Sequence, residues 1–447
     1  MALSGIEIFK QLPRTNCKEC GFPTCLAFAM SLAQGKTELA KCPHVSDAAK
    51  ASLSEAAEPP IRTVSIGAAG QANKTGGETV MFRHEKTFVN PTLLGLLVTD
   101  AMDEAEVEAR LSRMAQLQYD RVGLTLKPEL VAVQDTRGDA GAFAALAGRV
   151  AASGCGMVLM SPRPQVLAAG LQACAGHKPL LYAADPVNAD QVGALAKEHG
   201  SPVAVRGNGI DEVLAVTEKL VKAGLKDLVL DSGARKLGPA LRDQIAMRRA
   251  ALSGKHKGLG FPTIVFPGEM TDDPLQEVVI AAAMIAKYAG IVVLSDFDGA
   301  ALFPLLLERM NIYTDPQRPM ATQEGIYEIG GPDENAPVLI TSNFSLSYFI
   351  VSGEIETSRV PAYLLVKDTE GLSVLTAWAA GKFAADEIGA FVKKCGIAEK
   401  VKHRKLIIPG YAAQISGELE EELPDWQIII GPREASYIPA LLKSWKP

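Results

Sequence analysis

The sequence predicts a multidomain α/β protein in three parts: a small helical module, a (β/α)8 TIM barrel and a small doubly wound parallel sheet. Three observations predict it. Four of the seven cysteines fall within the first 42 of 447 residues. Short apolar runs then alternate with helical segments about eight times over residues 93–315, and four more times over residues 338–447. Continuous apolar strands signal a parallel sheet covered on both faces. Eight consecutive βα units suit a closed barrel better than an open sheet, and four suit a doubly wound sheet.

The totals bound the class. Hydrophobic residues make up 48% and charged residues 21%, as in an ordinary globular α/β protein. A net charge of −6 without a basic block argues against nucleic acid as a partner. The longest apolar runs, such as 278–285, stop far short of the ~20 residues of a membrane span. The start Met1-Ala2-Leu3-Ser4-Gly5 lacks the basic opening and apolar core of an export signal, so the expected location is cytoplasmic.

Residues 1–58 read as the helical module. A short first helix opens on Ser4, with Glu7 placed for a capping box, and a second over 26–33 ends at Gly35. Cys17, Cys20, Cys25 and Cys42 follow the spacing C-x2-C-x4-C-x16-C. Thiolates gathered this way pair as disulfides, hold zinc or hold an iron–sulfur cluster. The odd cysteine total and the missing export segment argue against disulfides. Zinc usually takes a second C-x2-C pair or histidines, and the second pair is missing. Three close thiolates and one distant ligand suit a 4Fe-4S cluster, with zinc as the alternative. Gly21 and Pro23 let the backbone bend so that amides face the sulfurs.

Residues 59–92 have linker composition, with Pro59-Pro60, Gly67-Ala68-Ala69-Gly70 and Gly76-Gly77. Alternating runs at 62–66 and 79–82 suggest a hairpin inside an otherwise mobile tether. The barrel strands are expected at 93–99, 130–134, 157–160, 179–182, 202–205, 227–230, 263–266 and 291–294. The run 122–126 is either a ninth strand or part of the second. Polar residues follow these strands: Asp100, Asp135, Ser161, Asp185, Arg206, Asn208, Asp231, Asp296 and Asp298. They read either as caps of the following helices or as a binding face for a pterin-like ligand or partner protein. No recurring histidine, lysine or cysteine assigns chemistry to the barrel.

A hinge is expected over 316–337, and the final domain follows with strands at 338–341, 363–366, 406–409 and 427–430. The loops after them are rich in Gly, Ser, Thr and Asn. In an open parallel sheet they share one edge, where ligands bind, although ordinary βα turns have the same composition. Neither a G-x-G-x-x-G nor a P-loop motif occurs there, which disfavours dinucleotide or triphosphate sites.

The run Cys17-Lys18-Glu19-Cys20-Gly21-Phe22-Pro23-Thr24-Cys25, with Cys42 and the three-part architecture, resembles the large (gamma) subunit of the corrinoid iron–sulfur protein of the reductive acetyl-CoA pathway. The resemblance covers the full length. It implies a 4Fe-4S cluster on Cys17, Cys20, Cys25 and Cys42, and a corrinoid in the final domain. Cobalt would accept a methyl group from methyltetrahydrofolate on a separate methyltransferase and pass it to the nickel site of acetyl-CoA synthase/CO dehydrogenase. The cluster would restore oxidised cobalt, fed by a low-potential electron donor or reductive activator. A smaller TIM-barrel subunit would complete a heterodimer. Carried over as corrinoid contacts are Thr341, Asn343, Gly371, Leu372, Ser373, Val374, Thr376, Pro409, Gly410, Gly431, Arg433 and Glu434. The Asp-x-His-x-x-Gly motif of many cobalamin carriers is absent, so the resemblance implies base-off cobalt without a protein histidine. Competing readings are a methyltransferase whose own barrel binds methyltetrahydrofolate, and an electron-transfer iron–sulfur subunit. Cys155, Cys174 and Cys395 are expected as buried small hydrophobes.

Overall fold

A computed structural model describes residues 5–33, 37–46, 49–50, 53, 59–68, 70–121, 124–254, 256–315 and 317–447. Ser4 and Gly35, read above as helix caps, lie outside the described residues, as do residues 122 and 123 of the run 122–126. The chain divides into one unit of Met1–Tyr119 with Leu126–Tyr313 and a second of Asp120–Thr125 with Thr314–Pro447.

Helices Gly5–Gln11 and Cys25–Ala33 pair around a core of their own, built from Ile8, Leu12, Cys25, Phe28, Ala29, Cys42, Val45 and Leu53. So small a core contributes little burial. Two of its members are cysteines of the four-cysteine motif.

The hairpin expected beyond it forms, with a different second strand. β1 (Val64–Ile66) pairs antiparallel with β2 (Asn73–Thr75), not with residues 79–82. Tertiary burial decided this. Val64 and Ile66 are fully buried among barrel-interior side chains, including Leu130, Val158, Leu180 and Val229. The Thr75 hydroxyl, equally buried, donates to the Gly290 carbonyl at 3.0 Å. Arg62 N–H donates to Gly260 and Gly67 N–H to Lys178, both just ahead of barrel strands. This stretch is therefore a strap across the N-terminal mouth of the barrel. Gly76 has φ +82°, and a Cβ there would strike the Arg62 carbonyl, so this glycine serves a tight backbone crossing. Behind the strap, Glu78 and Arg248 form a buried ion pair at 3.4 Å, with the guanidinium over the Phe88 and Tyr288 rings.

The barrel strand β3 (Leu93–Thr99) comes next, then a separate two-stranded ribbon of β4 (Tyr119–Arg121) and β5 (Leu124–Leu126). The described part of the run 122–126, Leu124–Leu126, is thus no barrel strand; Leu124 is half exposed, unlike the barrel strands. The other barrel strands are β6 (Leu130–Gln134), β7 (Gly156–Met160), β8 (Leu180–Ala184), β9 (Val203–Arg206), β10 (Leu228–Asp231), β11 (Ile264–Val265) and β12 (Ile291–Leu294). All eight pair in parallel in the order β10-β9-β8-β7-β6-β3-β12-β11. A parallel bridge between Leu230 and Thr263 joins the two ends and closes the ring.

In the second unit, β13 (Gly325–Ile329) lies antiparallel at the sheet edge, where a linker was expected. β14 (Val338–Ser342), β15 (Ala362–Lys367), β16 (Lys405–Ile408) and β17 (Gln427–Ile430) are parallel, and the full order is β13-β15-β14-β16-β17. Cores lie on both faces: Phe383, Ile388, Ile397 and Leu419 on one, Ile355, Ile438 and Leu442 on the other. No helix among the described residues is long and apolar enough to cross a membrane.

Candidate cofactor sites

The strand order places the first candidate site. From β14 the chain steps to β15 on one side, then returns past β14 to β16 on the other. At such a reversal the loops after the two central strands part, leaving a crevice at their carboxyl ends. The crevice is bordered by residues 342–345, after β14, and 409–411, after β16.

Asn343 anchors one side. It is 4% exposed, and its Oδ1 accepts from Thr369 N–H at 3.0 Å, Thr369 Oγ1 at 2.9 Å and Gly371 N–H at 2.9 Å. Its Nδ2 donates to Asp368 at 2.7 Å. The amide thus ties the loop after β14 to the loop after β15. Gly371, at φ +77°, lies against the Pro319 carbonyl, so it too serves a backbone crossing. Thr341 is buried; Leu372, Ser373 and Val374 are half-buried and Thr376 is exposed. The Ser373 and Thr376 hydroxyls pair at 3.1 Å. The helix Val374–Ala379 packs against β14 and against the turn Gly410–Ile415.

On the other side, Gly410 N–H donates to Pro432 and Gly431 N–H to Ile408. A Cβ on Gly410 would meet the Gly431 carbonyl at 2.6 Å. These two glycines let neighbouring loops approach each other, a role composition alone does not separate from ligand approach. Pro409 is half-buried, and Arg433 and Glu434 are exposed, with Glu434 accepting from the Tyr411 hydroxyl at 2.9 Å.

Three further hydroxyls belong here, of which the sequence reading placed only Ser342 in a strand-end loop. Ser342, Ser345 and Thr322 gather at the carboxyl end of β14, buried and without a hydrogen-bond partner. Thr322 N–H donates to Asn343 and Ser345 N–H to Met320, which fixes their backbones. Buried hydroxyls normally find partners, so these fit a ligand with amide or phosphate groups. Exposed Leu375 and Trp378 add an apolar shelf suited to a flat macrocycle. Exposure of large apolar side chains is visible only in the fold. No histidine lies in these loops. His403 precedes β16 at the opposite edge and bonds the Ala336 carbonyl at 2.9 Å.

The second candidate site is the four-cysteine module. Cys25 and Cys42 are buried in its core, and Cys17 and Cys20 are half-buried. No disulfide joins any of the four. The loop carries left-handed residues at Arg14, Asn16, Lys18 and Gly21. Asn16 Oδ1 accepts from Cys25 N–H at 2.8 Å, and Gly21 N–H donates to Lys18. The loop is thereby folded back, which sets the early cysteines beside the helix that starts at Cys25. A cluster-sized group has the right donor chemistry here.

Comparison with known proteins places the whole chain. The family described as CO dehydrogenase/acetyl-CoA synthase delta subunit matches residues 63–442, and an Fe-S cluster family matches residues 12–44. The corrinoid/iron-sulfur protein large subunit of Moorella thermoacetica is 46% identical over 445 residues, 99% of each chain. The chain belongs to this family.

Other family members are similar over the same span. The acetyl-CoA decarbonylase/synthase complex subunit gamma 2 of Methanosarcina thermophila and subunit gamma of Archaeoglobus fulgidus are each 35% identical, covering 99% of both chains. Among solved structures, dihydropteroate synthase from Thermus thermophilus is 17% identical, covers 56% of this chain and 100% of that one, and has a TM-score of 0.40.

In this chain, several polar groups on the C-terminal face of the barrel bond to one another. Asp135 accepts from Ser161 at 2.5 Å and from two nitrogens of Arg163. Burial pushes its carboxyl up, but Ser161, Gly138 N–H and Arg163 together hold it below the usual range. Asp231 accepts from the Tyr182 hydroxyl at 2.5 Å and from Arg235, which also pairs with Glu269. Burial and the adjacent Asp231 charge push the Tyr182 hydroxyl well above its usual value. Asp100 accepts from Thr136 N–H at 2.8 Å, and Asp185 from Val187 and Asn188. Asp298 alone of the expected caps bonds inside a helix start, to Ala301 N–H. Asp100, Asp135 and Ser161 therefore tie neighbouring strand-end loops together, whereas Asp185 and Asp298 bond within their own segments.

Of the remaining cysteines, Cys174 is buried, whereas Cys155 and Cys395 are partly exposed.

Proposed function

We propose that the chain is a methyl-group carrier that holds a corrinoid in its second unit and a 4Fe-4S cluster in its first. The observation that carries this reading is the full-length similarity to a corrinoid/iron-sulfur protein large subunit. When bound, the corrinoid supplies a cobalt that takes a methyl group from methyltetrahydrofolate and yields it to the nickel site of acetyl-CoA synthase, and the cluster supplies the electron that restores oxidised cobalt. Cys17, Cys20, Cys25 and Cys42 are the proposed cluster ligands. The proposed corrinoid contacts are the strand-end loops, with Thr341, Leu372, Ser373, Val374, Thr376, Pro409, Gly410, Gly431, Arg433 and Glu434 near the ligand.

Within those loops the residues divide by task. Asn343 and Gly371 hold loop shape, while Ser342, Ser345 and Thr322 offer hydroxyls to the ligand's polar tail. No histidine of these loops would be available to ligate a bound cobalt. Proposed partners are a smaller barrel subunit, a corrinoid methyltransferase, the acetyl-CoA synthase and a low-potential reductant, in the cytoplasm.

The barrel methyltransferase reading has less support, because the acidic groups of the barrel face are already paired internally. Anaerobically purified protein should contain one cobalt and four irons with matching sulfide per chain. A flavin spectrum without cobalt would overturn the carrier reading. Tight methyltetrahydrofolate binding by the isolated chain would instead favour the barrel as the donor site.

A further inference from the structure

We propose that Cys17, Glu19 and His44 form a mononuclear divalent-metal site, for zinc or ferrous iron, in the cluster-free chain. The Cys17 sulfur, a Glu19 carboxylate oxygen and a His44 ring nitrogen lie within 4.8 Å of one another. His44 Nε2 is 3.0 Å from Glu19 Oε2. A tetrahedral ion with bonds of about 2.0–2.3 Å needs donors roughly 3.3–3.8 Å apart.

The three donors sit inside the cysteine motif itself. Glu19 lies between Cys17 and Cys20, and His44 lies two residues past Cys42. Left-handed Asn16 and Lys18 flank Cys17, and the Asn16 side chain pins this loop to the start of the helix at Cys25. Access separates this set from a four-thiolate site. Cys25 and Cys42 are 5% and 4% exposed within an apolar core, whereas the Glu19 and His44 side chains are 55% and 46% exposed. An incoming ion therefore reaches half-buried Cys17 and Cys20 and exposed Glu19 and His44 before the two core cysteines, and of these only Cys17, Glu19 and His44 have their donor atoms gathered.

Cysteine sulfur, carboxylate oxygen and imidazole nitrogen are all donors that zinc takes. Three protein ligands leave one position for water. On the cluster reading proposed above, Cys17 serves both sites, so the mononuclear ion and the cluster exclude each other.

Cobaltous ion is the probe, added anaerobically to the reduced full-length chain after iron has been chelated away. The expected result is one equivalent bound, with a single thiolate-to-cobalt charge-transfer band and intense tetrahedral ligand-field bands. Glu19→Gln and His44→Ala should each weaken binding by roughly tenfold or more, since each removes one of three ligands. Cys20→Ala should leave it unchanged. Binding that ignores Glu19→Gln and His44→Ala but disappears in Cys20→Ala would overturn the proposal in favour of four thiolates, as would no stoichiometric binding. Both exposed variants should still rebuild a full complement of iron and sulfide. That measurement separates failure of this site from failure of the cluster reading.

Discussion

Replacing Asn343 by alanine tests whether loop shape, rather than direct contact, is its task at the candidate corrinoid site. The substitution removes an acceptor shared by Thr369 N–H, Thr369 Oγ1 and Gly371 N–H, and a donor to Asp368. The Thr369 hydroxyl keeps the Leu372 carbonyl at 2.8 Å as a partner. The two backbone amides are left without one, with Thr369 fully buried. Each orphaned buried donor costs about 1–3 kcal/mol, and water entering the vacated space offsets part of this. The net expectation is about 2–4 kcal/mol of local destabilisation, or a loss of roughly 30- to 700-fold in amide protection at one decade per ~1.4 kcal/mol. Hydrogen exchange over residues 367–376 reads this directly, alongside cobalt content after corrinoid loading. Protection within about threefold of wild type would refute the anchoring role. Asn343→Asp should also fail, because it keeps the acceptor but sets a second carboxylate beside Asp368.

Other perturbations have equally definite outcomes. Cys20→Ala or Cys42→Ala should abolish cluster-dependent repair of oxidised cobalt while sparing methyl transfer from chemically reduced corrinoid; equal loss of both activities would contradict the proposed division of labour. Arg248→Met strands the buried Glu78 charge and should destabilise the first unit by about 3–5 kcal/mol in thermal melts, whereas Glu78→Leu with Arg248→Met should recover most of it. Burial raises the Glu78 carboxyl above its usual 4.5, against the pull of Arg248. Its favourable contribution is therefore complete below pH 4.5 and lost as pH rises through the raised value, so wild type should lose stability relative to Glu78→Gln over that window. Burial also pushes the Cys174 thiol up to about 11, so it should resist alkylation at pH 8 until the barrel unfolds.

Local pattern alone settled a large part of this protein. The eight barrel strands and the four parallel strands of the second sheet were legible because each is a short apolar run, and nearly all of them are buried on both faces; the last, Gln427–Ile430, keeps its apolar pattern although Ile430 is exposed. The Cys17–Cys42 spacing was legible because thiolate chemistry depends on residue type and interval. What the tertiary structure decided depends on residues distant in sequence. Gly76 and Gly77 have linker composition, yet they let a strap cross Arg62 and close the barrel mouth. Residues 325–329 looked like hinge until β15 offered an edge to pair with. Asn343, Gly410 and Gly431 were correctly placed at one sheet edge, but only the fold shows that they hold the loops to one another. Ser342, Ser345 and Thr322 are ordinary residues until burial leaves their hydroxyls without partners. His44 is likewise unremarkable in the sequence; folding brings it, with Glu19, to the Cys17 sulfur, because proximity of side chains belongs to the packed chain and not to its order.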